Sequence, residues 1–144
     1  MKRQLNFLFI ILFIIMLAYL LAPDKEYTDR IRVLKGIAVA APYRAAVNEY
    51  WRIKQVLPEP GDLELEKIRV RVNLEKTAVD SITVGKDRPG SVTVFYSTKN
   101  LESAPAGLNN TRIILTPVPV TNKLVWSCKG TMPDAIIPQI CKKM

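Results

Sequence analysis

The sequence predicts an α+β domain that follows an apolar N-terminal helix. Three observations support this prediction: an apolar run at residues 5–22, an apolar stripe at helical spacing within residues 27–57, and apolar residues alternating with polar ones from residue 67 onward. Spacings of three and four residues are typical of an amphipathic helix, and strict alternation is typical of a half-buried strand. One helix followed by short strands indicates a helix that packs on one face of an antiparallel sheet.

The apolar run has the length of a membrane-spanning helix. At a rise of about 1.5 Å per residue it reaches roughly 27 Å, close to the ~30 Å hydrocarbon core of a bilayer. Lys2 and Arg3 precede the run, and the positive-inside rule keeps such residues cytoplasmic. We therefore expect residues 1–22 to be a single-pass anchor and residues 23–144 to be exported. The anchor residues are Leu5, Phe7, Ile10, Phe13, Leu17 and Leu21.

A cleaved secretory signal is the alternative interpretation of the same run. Signal cleavage requires small residues at positions −3 and −1 of the cut. A cut after Ala22 would place Leu20 at −3 and Pro23 directly behind the cut. The sequence therefore favours the retained anchor.

Residues 27–57 predict an amphipathic helix with its apolar stripe facing the sheet. Pro42 lies inside this helix and lacks a backbone donor, so we expect a kink there and not an end. The turn PEPGD, Pro58–Asp62, ends the helix. The residues expected to pack helix against sheet are Val39, Tyr43, Val47, Tyr50 and Ile53 from the helix and Trp126 from the sheet.

The sheet is expected at residues 67–128, with about four strands. The segment KIRVRVN alternates three aliphatic residues with three cations and predicts one strand. VDSITVG and SVTVFYS predict a hairpin across KDRPG, and TRIILTPV and KLVWSC predict a second hairpin across residues 119–122. The exported part is long enough for one domain with one core.

The two cysteines, Cys128 and Cys141, both lie near the C-terminus. Exported compartments are oxidising, so a pair of thiols there predicts a disulfide. The bridge would close a loop over residues 128–141. In the loop-entropy description it would stabilise the fold by about 3 kcal/mol.

Composition argues against catalysis. The chain has no histidine, which removes the commonest general base and the commonest metal ligand. No glycine cluster has the spacing that holds phosphates. We expect no enzyme activity, no cofactor, no metal and no small-molecule substrate.

The net charge of +8 makes the chain basic, which raises the possibility of nucleic-acid contact, since Lys and Arg neutralise phosphates. A charged, exposed sheet face that discourages aggregation is the alternative interpretation. The candidate residues for contact with DNA or with a protein partner are Lys67, Arg69, Arg71, Lys142 and Lys143.

Two segments resemble type IV pilins. The run YTDRIRVLKGIAVAAPYRAAVNEYW resembles the helix that follows the membrane segment of that family, and the tail ILTPVPVTNKLVWSCKGTMPDAIIPQIC resembles its last strands and disulfide loop. The resemblance spans residues 23–144. The matching helix positions are Tyr27, Thr28, Arg30, Val33, Gly36, Ala46, Val47, Glu49 and Tyr50.

This resemblance implies the pilin fold, in which a long N-terminal helix, half in the membrane and half amphipathic, packs on a four-stranded antiparallel sheet. In pilins the loop closed by the terminal disulfide is an exposed region used in subunit contacts and adhesion. The resemblance implies the same use for the loop between Cys128 and Cys141.

The N-terminal segment differs from the family pattern. Prepilins carry a basic leader that ends in glycine and is cut before an apolar run containing glutamate. Here no glycine precedes the run, and Asn6 lies near the position of the glutamate. An amide cannot supply the charge that would pair with a buried amine. We therefore expect an uncleaved chain in the bacterial inner membrane, with a cytoplasmic N-terminus and a periplasmic domain. The alternative location is the pilus or the cell surface.

The resemblance implies a structural or accessory component of a type IV pilus, or of a related secretion or competence machine, with other pilins or pilus assembly proteins as partners. A variant is an ordinary filament subunit with an unusual leader. The alternative from a different class is a membrane-anchored basic protein that binds DNA during uptake.

Overall fold

The structure is a computed structural model that describes residues 2–21, 25–62, 72–75, 77–97 and 106–143. Side chains are described throughout these ranges except at residues 2–9, 25, 106 and 142–143. The elements are helices α1 Lys2–Leu20, α2 Lys25–Val39 and α3 Ala41–Lys54, and strands β1 Val79–Val84, β2 Val92–Tyr96, β3 Thr111–Val120, β4 Lys123–Gly130 and β5 Lys142–Lys143.

The fold class is α+β, as predicted. Strands β1 to β4 form an antiparallel sheet in sequence order, and β5 adds two residues parallel to β4. The hairpins predicted from VDSITVG/SVTVFYS and TRIILTPV/KLVWSC correspond to β1–β2 and β3–β4. The strand predicted at KIRVRVN lies outside the described residues, apart from its last two positions.

Among the described residues, no helix meets the combined length and apolarity that a membrane crossing requires.

The amphipathic segment contains two helices, α2 and α3, with Ala40 between them. Pro42 occupies the first turn of α3, where its missing N–H is not needed. The Ala40 N–H still reaches Gly36 O, at 3.2 Å, and the Ala40 carbonyl accepts the N–H of Arg44, also at 3.2 Å. The sequence predicted a kink and not an end here, whereas α2 ends at Val39 and α3 begins at Ala41, with the hydrogen bonds of Ala40 joining the two helices.

Helix α3 ends earlier than the sequence predicts, at Lys54 and not near residue 57. Gln55 adopts a left-handed conformation with φ of 58°, and its N–H donates to Trp51 O, at 2.8 Å. This is a helix C-cap that turns the chain away before the proline-rich turn begins.

A bulge in β1 decides which side chains face the helices. Val79 pairs with Tyr96 and Ser81 pairs with Phe95, so Asp80 is the extra residue between them. Without a bulge, alternation would place Val79 on the face opposite Ile82. With it, both residues lie on the side of the sheet that α2 and α3 cover.

The core lies between the two helices and this face of the sheet. Its buried residues come from α2, α3, the strands and the C-terminal loop; among them are Val33, Ile37, Ala46, Val47, Tyr50, Val79, Val92, Val94, Tyr96, Ile113, Leu115 and Met132.

The predicted packing residues separate into three groups. Val47 and Tyr50 are buried, whereas Tyr43 and Trp126 are half-buried and pack against the core. Val39 is half-buried, and α2 instead presents Val33 and Ile37 to the core. The prediction is wrong for Ile53, which is 59% exposed, because it lies in the last turn of α3.

The tightest contact between helix and sheet joins Tyr96 to α2. The Tyr96 hydroxyl donates to the Val33 carbonyl at 2.9 Å, and the tyrosine ring lies over Gly36. A Cβ atom added at Gly36 would come within 2.6 Å of the ring and of its hydroxyl oxygen. Glycine therefore provides the space in which the aromatic ring is buried.

We predict that Gly36→Ala destabilises the fold. The added methyl overpacks the contact with Tyr96, which costs about 1–3 kcal/mol of unfolding free energy. In a helix interior without such a contact the same substitution stabilises by about 1 kcal/mol, so the sign of the change tests the contact. Urea denaturation of the full chain, followed by tryptophan fluorescence, measures it.

The matched control is Lys35→Ala, since Lys35 is exposed on the same helix, and its effect should stay within about 0.5 kcal/mol. A Gly36→Ala chain as stable as the unmodified one would contradict the described contact.

We also predict that the stabilising effect of Tyr96 disappears at high pH. Burial raises the pKa of Tyr96 well above its ordinary value of 10.0, so the unfolded chain ionises at this residue first. The contribution is complete below pH ~10 and decreases by about 1.4 kcal/mol per pH unit above it.

The measurement compares unfolding free energies of the unmodified chain and Tyr96→Phe across pH. Below pH ~10 the unmodified chain should be more stable by about 1 kcal/mol, the value of one hydrogen bond. A difference that stays constant up to the highest pH reached would argue against a raised pKa for Tyr96.

Candidate functional site

The C-terminal loop is closed by the predicted disulfide. Cys128 of β4 bonds to Cys141, thirteen residues later, with their Cα atoms 4.5 Å apart. Directly after Cys141, Lys142 and Lys143 pair with Lys129 and Gly130 in parallel register. The bridge and the short strand thus attach the end of the chain to the edge of the sheet.

The inner side of this loop belongs to the core. Met132 is fully buried, and Ile136 and Ile137 are less than one-tenth exposed. Gly130 leaves room for them, because a Cβ at that position would lie 3.2 Å from the Ile137 side chain. Apolar burial fixes the path of the loop in addition to the disulfide.

Hydrogen bonds connect the loop to both layers of the fold. The Thr131 N–H donates to the Arg112 carbonyl, and the Arg112 N–H donates to the Thr131 hydroxyl, each at 3.0 Å. On the helix side, Arg30 Nη2 donates to the Ala135 carbonyl at 2.8 Å. Arg30 is 105 positions away in the sequence, so this contact exists only in the folded chain.

The outer side of the loop, with α2, forms an exposed apolar groove of about 310 Å³. On the loop side of the groove Ile140 is 71% exposed, and on the helix side Tyr27 is 62% exposed. The loop therefore has a buried half that holds it in place and an exposed half available for contact. The residues that line the groove are Tyr27, Arg30, Ile31, Leu34, Pro138, Gln139 and Ile140.

Trp126 connects the loop region to α3. It lies two residues before Cys128 on the same face of β4, and the Arg44 guanidinium carbon is 5.8 Å from its ring centroid. A cation over an indole ring is attracted by the ring quadrupole. This contact accounts for the half-buried state of a residue that the sequence predicted to be core.

The opposite face of the sheet carries a small polar network. Asp87, in the β1–β2 loop, accepts a hydrogen bond from the buried Thr93 hydroxyl and pairs with Arg112 at 3.2 Å. Lys86 from the same loop lies 5.2 Å from the Phe95 ring centroid. The loop thereby folds over the sheet face and is held there by charge.

An exposed ion pair on α3 involves one of the positions that match the family. Arg52 Nη2 lies 2.6 Å from a Glu49 carboxylate oxygen, and its hydrogen bond lowers the pKa of Glu49 below the usual value. Both side chains are in solvent, so the pair is an ordinary helix-surface contact between residues three apart.

Only two of the five predicted basic contact residues lie within the described part of the chain. Lys67, Arg69 and Arg71 lie outside the described residues. Lys142 and Lys143 form β5, at the edge of the sheet beside the disulfide. The DNA interface built from these five residues stays a prediction.

Within the described ranges, no group of His, Cys, Asp or Glu side chains could hold a metal ion. The contacts at the loop and sheet face are structural: a disulfide, main-chain hydrogen bonds and ion pairs.

Sequence reasoning missed Arg30 and the Asp87–Arg112 pair. Arg30 was noted as a family match, without a role. Nothing in the local pattern around these residues indicates a partner so far along the chain, because each contact depends on how α2, the loop and the sheet come together.

Comparison with known families agrees with this geometry. The chain matches the family model described as pilin, a bacterial filament protein, over residues 30–142. This range covers most of the chain, including the part of α2 from residue 30 onward, α3, strands β1 to β4 and the disulfide loop. The chain belongs to the pilin family. No match was found among curated proteins.

We predict that reducing the disulfide lowers the unfolding free energy by about 3 kcal/mol, the value expected for a loop of this length. Urea denaturation with and without a thiol reductant measures the loss. The control is the double variant Cys128→Ser with Cys141→Ser, whose stability should be lower and insensitive to reductant. If reduction leaves the midpoint of the unmodified chain unchanged, the bridge does not stabilise the fold.

Proposed function

We propose that this chain is a pilin-like component of a type IV pilus, or of a related secretion or competence machine, and that it acts by protein–protein contact. The observation that carries the proposal is the pilin match over residues 30–142. Pilins are structural proteins, which fits a role without catalysis. The finer role, that of an accessory member contacting other pilins or assembly proteins, is our inference.

The surfaces of the domain support a contact role. The disulfide loop is fixed by its buried half and presents Ile140 and the neighbouring groove to solvent. A preorganised surface with an exposed apolar side chain binds a partner with little loss of conformational entropy. We infer that this loop contributes to contacts with other pilus components or to adhesion.

We further propose that α1 anchors the chain in the bacterial inner membrane, with the domain from α2 onward in the periplasm. Support comes from the side chains of residues 10–21, all of which are exposed, although most of them are large and apolar. Lys2 and Arg3 begin this helix and favour the cytoplasmic side. An oxidising periplasm agrees with the disulfide.

The test is the intact mass of the native protein, measured separately in sheared surface filaments and in washed inner membranes, before and after reduction. We expect the full-length chain in the membrane fraction, heavier by two hydrogens after reduction. Both features follow from an uncleaved anchor and a periplasmic disulfide.

Absence of the protein from both fractions would overturn the proposed pilus role. A shortened, N-methylated chain confined to the filaments would overturn the accessory role in favour of a processed filament subunit. Membranes prepared from cells lacking the gene provide the control for mass assignment.

A further inference from the structure

The exposed end of α3 and the turn after it present an apolar surface that the described residues leave exposed. Ile53, in the last turn of α3, is 59% exposed, and Val56, just beyond the helix end, is 57% exposed. Val47 and Tyr50, earlier in α3, are buried. Glu59 follows in the exposed turn. Within the described ranges its carboxylate has no hydrogen-bond or ion-pair partner. We call Ile53, Val56 and Glu59 the helix-end surface.

A groove of about 470 Å³ lies beside the β1–β2 loop, on the sheet face away from the helices. Ile114 and Val118 of β3 form its apolar floor, and Arg88 and Lys129 stand at its rim. Val118 is 47% exposed. We call this site the sheet groove.

Within the described residues, the two cations of the sheet groove are not balanced by a carboxylate. Asp87 also lines the groove, but its carboxylate is already bound by Thr93 and Arg112. In the described part of the chain, Arg88 and Lys129 form no ion pair. The groove therefore combines an apolar floor with two available cations, and a complementary surface would carry aliphatic side chains beside a carboxylate.

The helix-end surface has that composition. We propose that the helix-end surface of one copy docks into the sheet groove of a second copy, with Glu59 between Arg88 and Lys129 and with Ile53 and Val56 on Ile114 and Val118. This inference rests on the proposed pilin function and names one contact within it. Exposed apolar patches rimmed by polar residues are typical of protein–protein interaction sites.

The positions of the two surfaces determine which type of contact two copies would form. Ile114 and Val118 alternate along β3 with the buried residues Ile113, Leu115 and Pro117, so the sheet groove lies on the face away from the helices. The helix-end surface includes Glu59, whose backbone lies against the β1–β2 loop, since a Cβ at Gly85 would be 2.8 Å from the Glu59 carbonyl carbon. Because the two surfaces are different parts of the chain, their pairing is a heterologous contact, which leaves one free surface at each end of a dimer.

Site-specific cross-linking of the full chain in native membranes tests the proposal. A photoreactive residue replaces Ser127, whose side chain lines the groove, and the cross-linked peptide is identified by mass spectrometry. The expected product is a dimer joined to a peptide containing Ile53 and Val56. Cross-linking to a different protein, or to another part of the chain, would overturn the proposal.

Charge exchange tests the ionic part. Arg88→Glu and Glu59→Lys should each lower the dimer yield by about tenfold, because each places like charges opposite each other. The double variant should recover most of the yield, since opposite charges again face each other. Failure of the double variant to recover it would overturn the pairing.

Two controls separate this from a general effect of charge. Lys123→Glu reverses an exposed cation outside the groove, and Glu75→Lys reverses an exposed carboxylate outside the helix-end surface. Neither should change the dimer yield. Tryptophan fluorescence and the intact disulfide show that each variant is folded. If the chain is found in the pilus or membrane fractions while charge exchange has no effect, the pilin function stands and this contact is wrong.

Discussion

The structure depends on the burial of Tyr96 against α2. A tyrosine at the end of β2 needs a partner for its hydroxyl once it is buried, because an unpaired polar group in a core is costly. The Val33 carbonyl accepts that hydroxyl, and Gly36 leaves room for the ring. This one contact fixes how far the helix lies from the sheet and at which turn it meets β2, so the remaining core residues pack in the register that it sets.

The break at Ala40 follows from the same need to cover the sheet. A proline inside the segment removes one donor and favours a new helix start, and the turn at Ala40 lets α2 and α3 bring separate buried faces to one core. Ile53, in the last turn of α3, and Val56, just beyond the helix end, are both more than half exposed.

The C-terminal loop shows how a short segment is made rigid enough to present a surface. Loops without regular structure are mobile unless their backbone groups and side chains find partners. Here Met132, Ile136 and Ile137 enter the core, Arg30 binds a loop carbonyl, and the disulfide holds the far end. On the opposite face, the Asp87–Arg112 pair holds the β1–β2 loop in the same manner. Both loops border the grooves described above.

The sequence by itself determined the fold class, the two hairpins and the partners in the disulfide, because periodicity, turn residues and two lone cysteines are local or countable features. Only the tertiary structure decided that Asp80 is a bulge, that Ile53 is exposed, and that Arg30 binds the loop and Asp87 binds Arg112. Each of these depends on where separate elements meet in space. Side-chain contacts between residues far apart in the chain are set by packing geometry, which no single segment encodes.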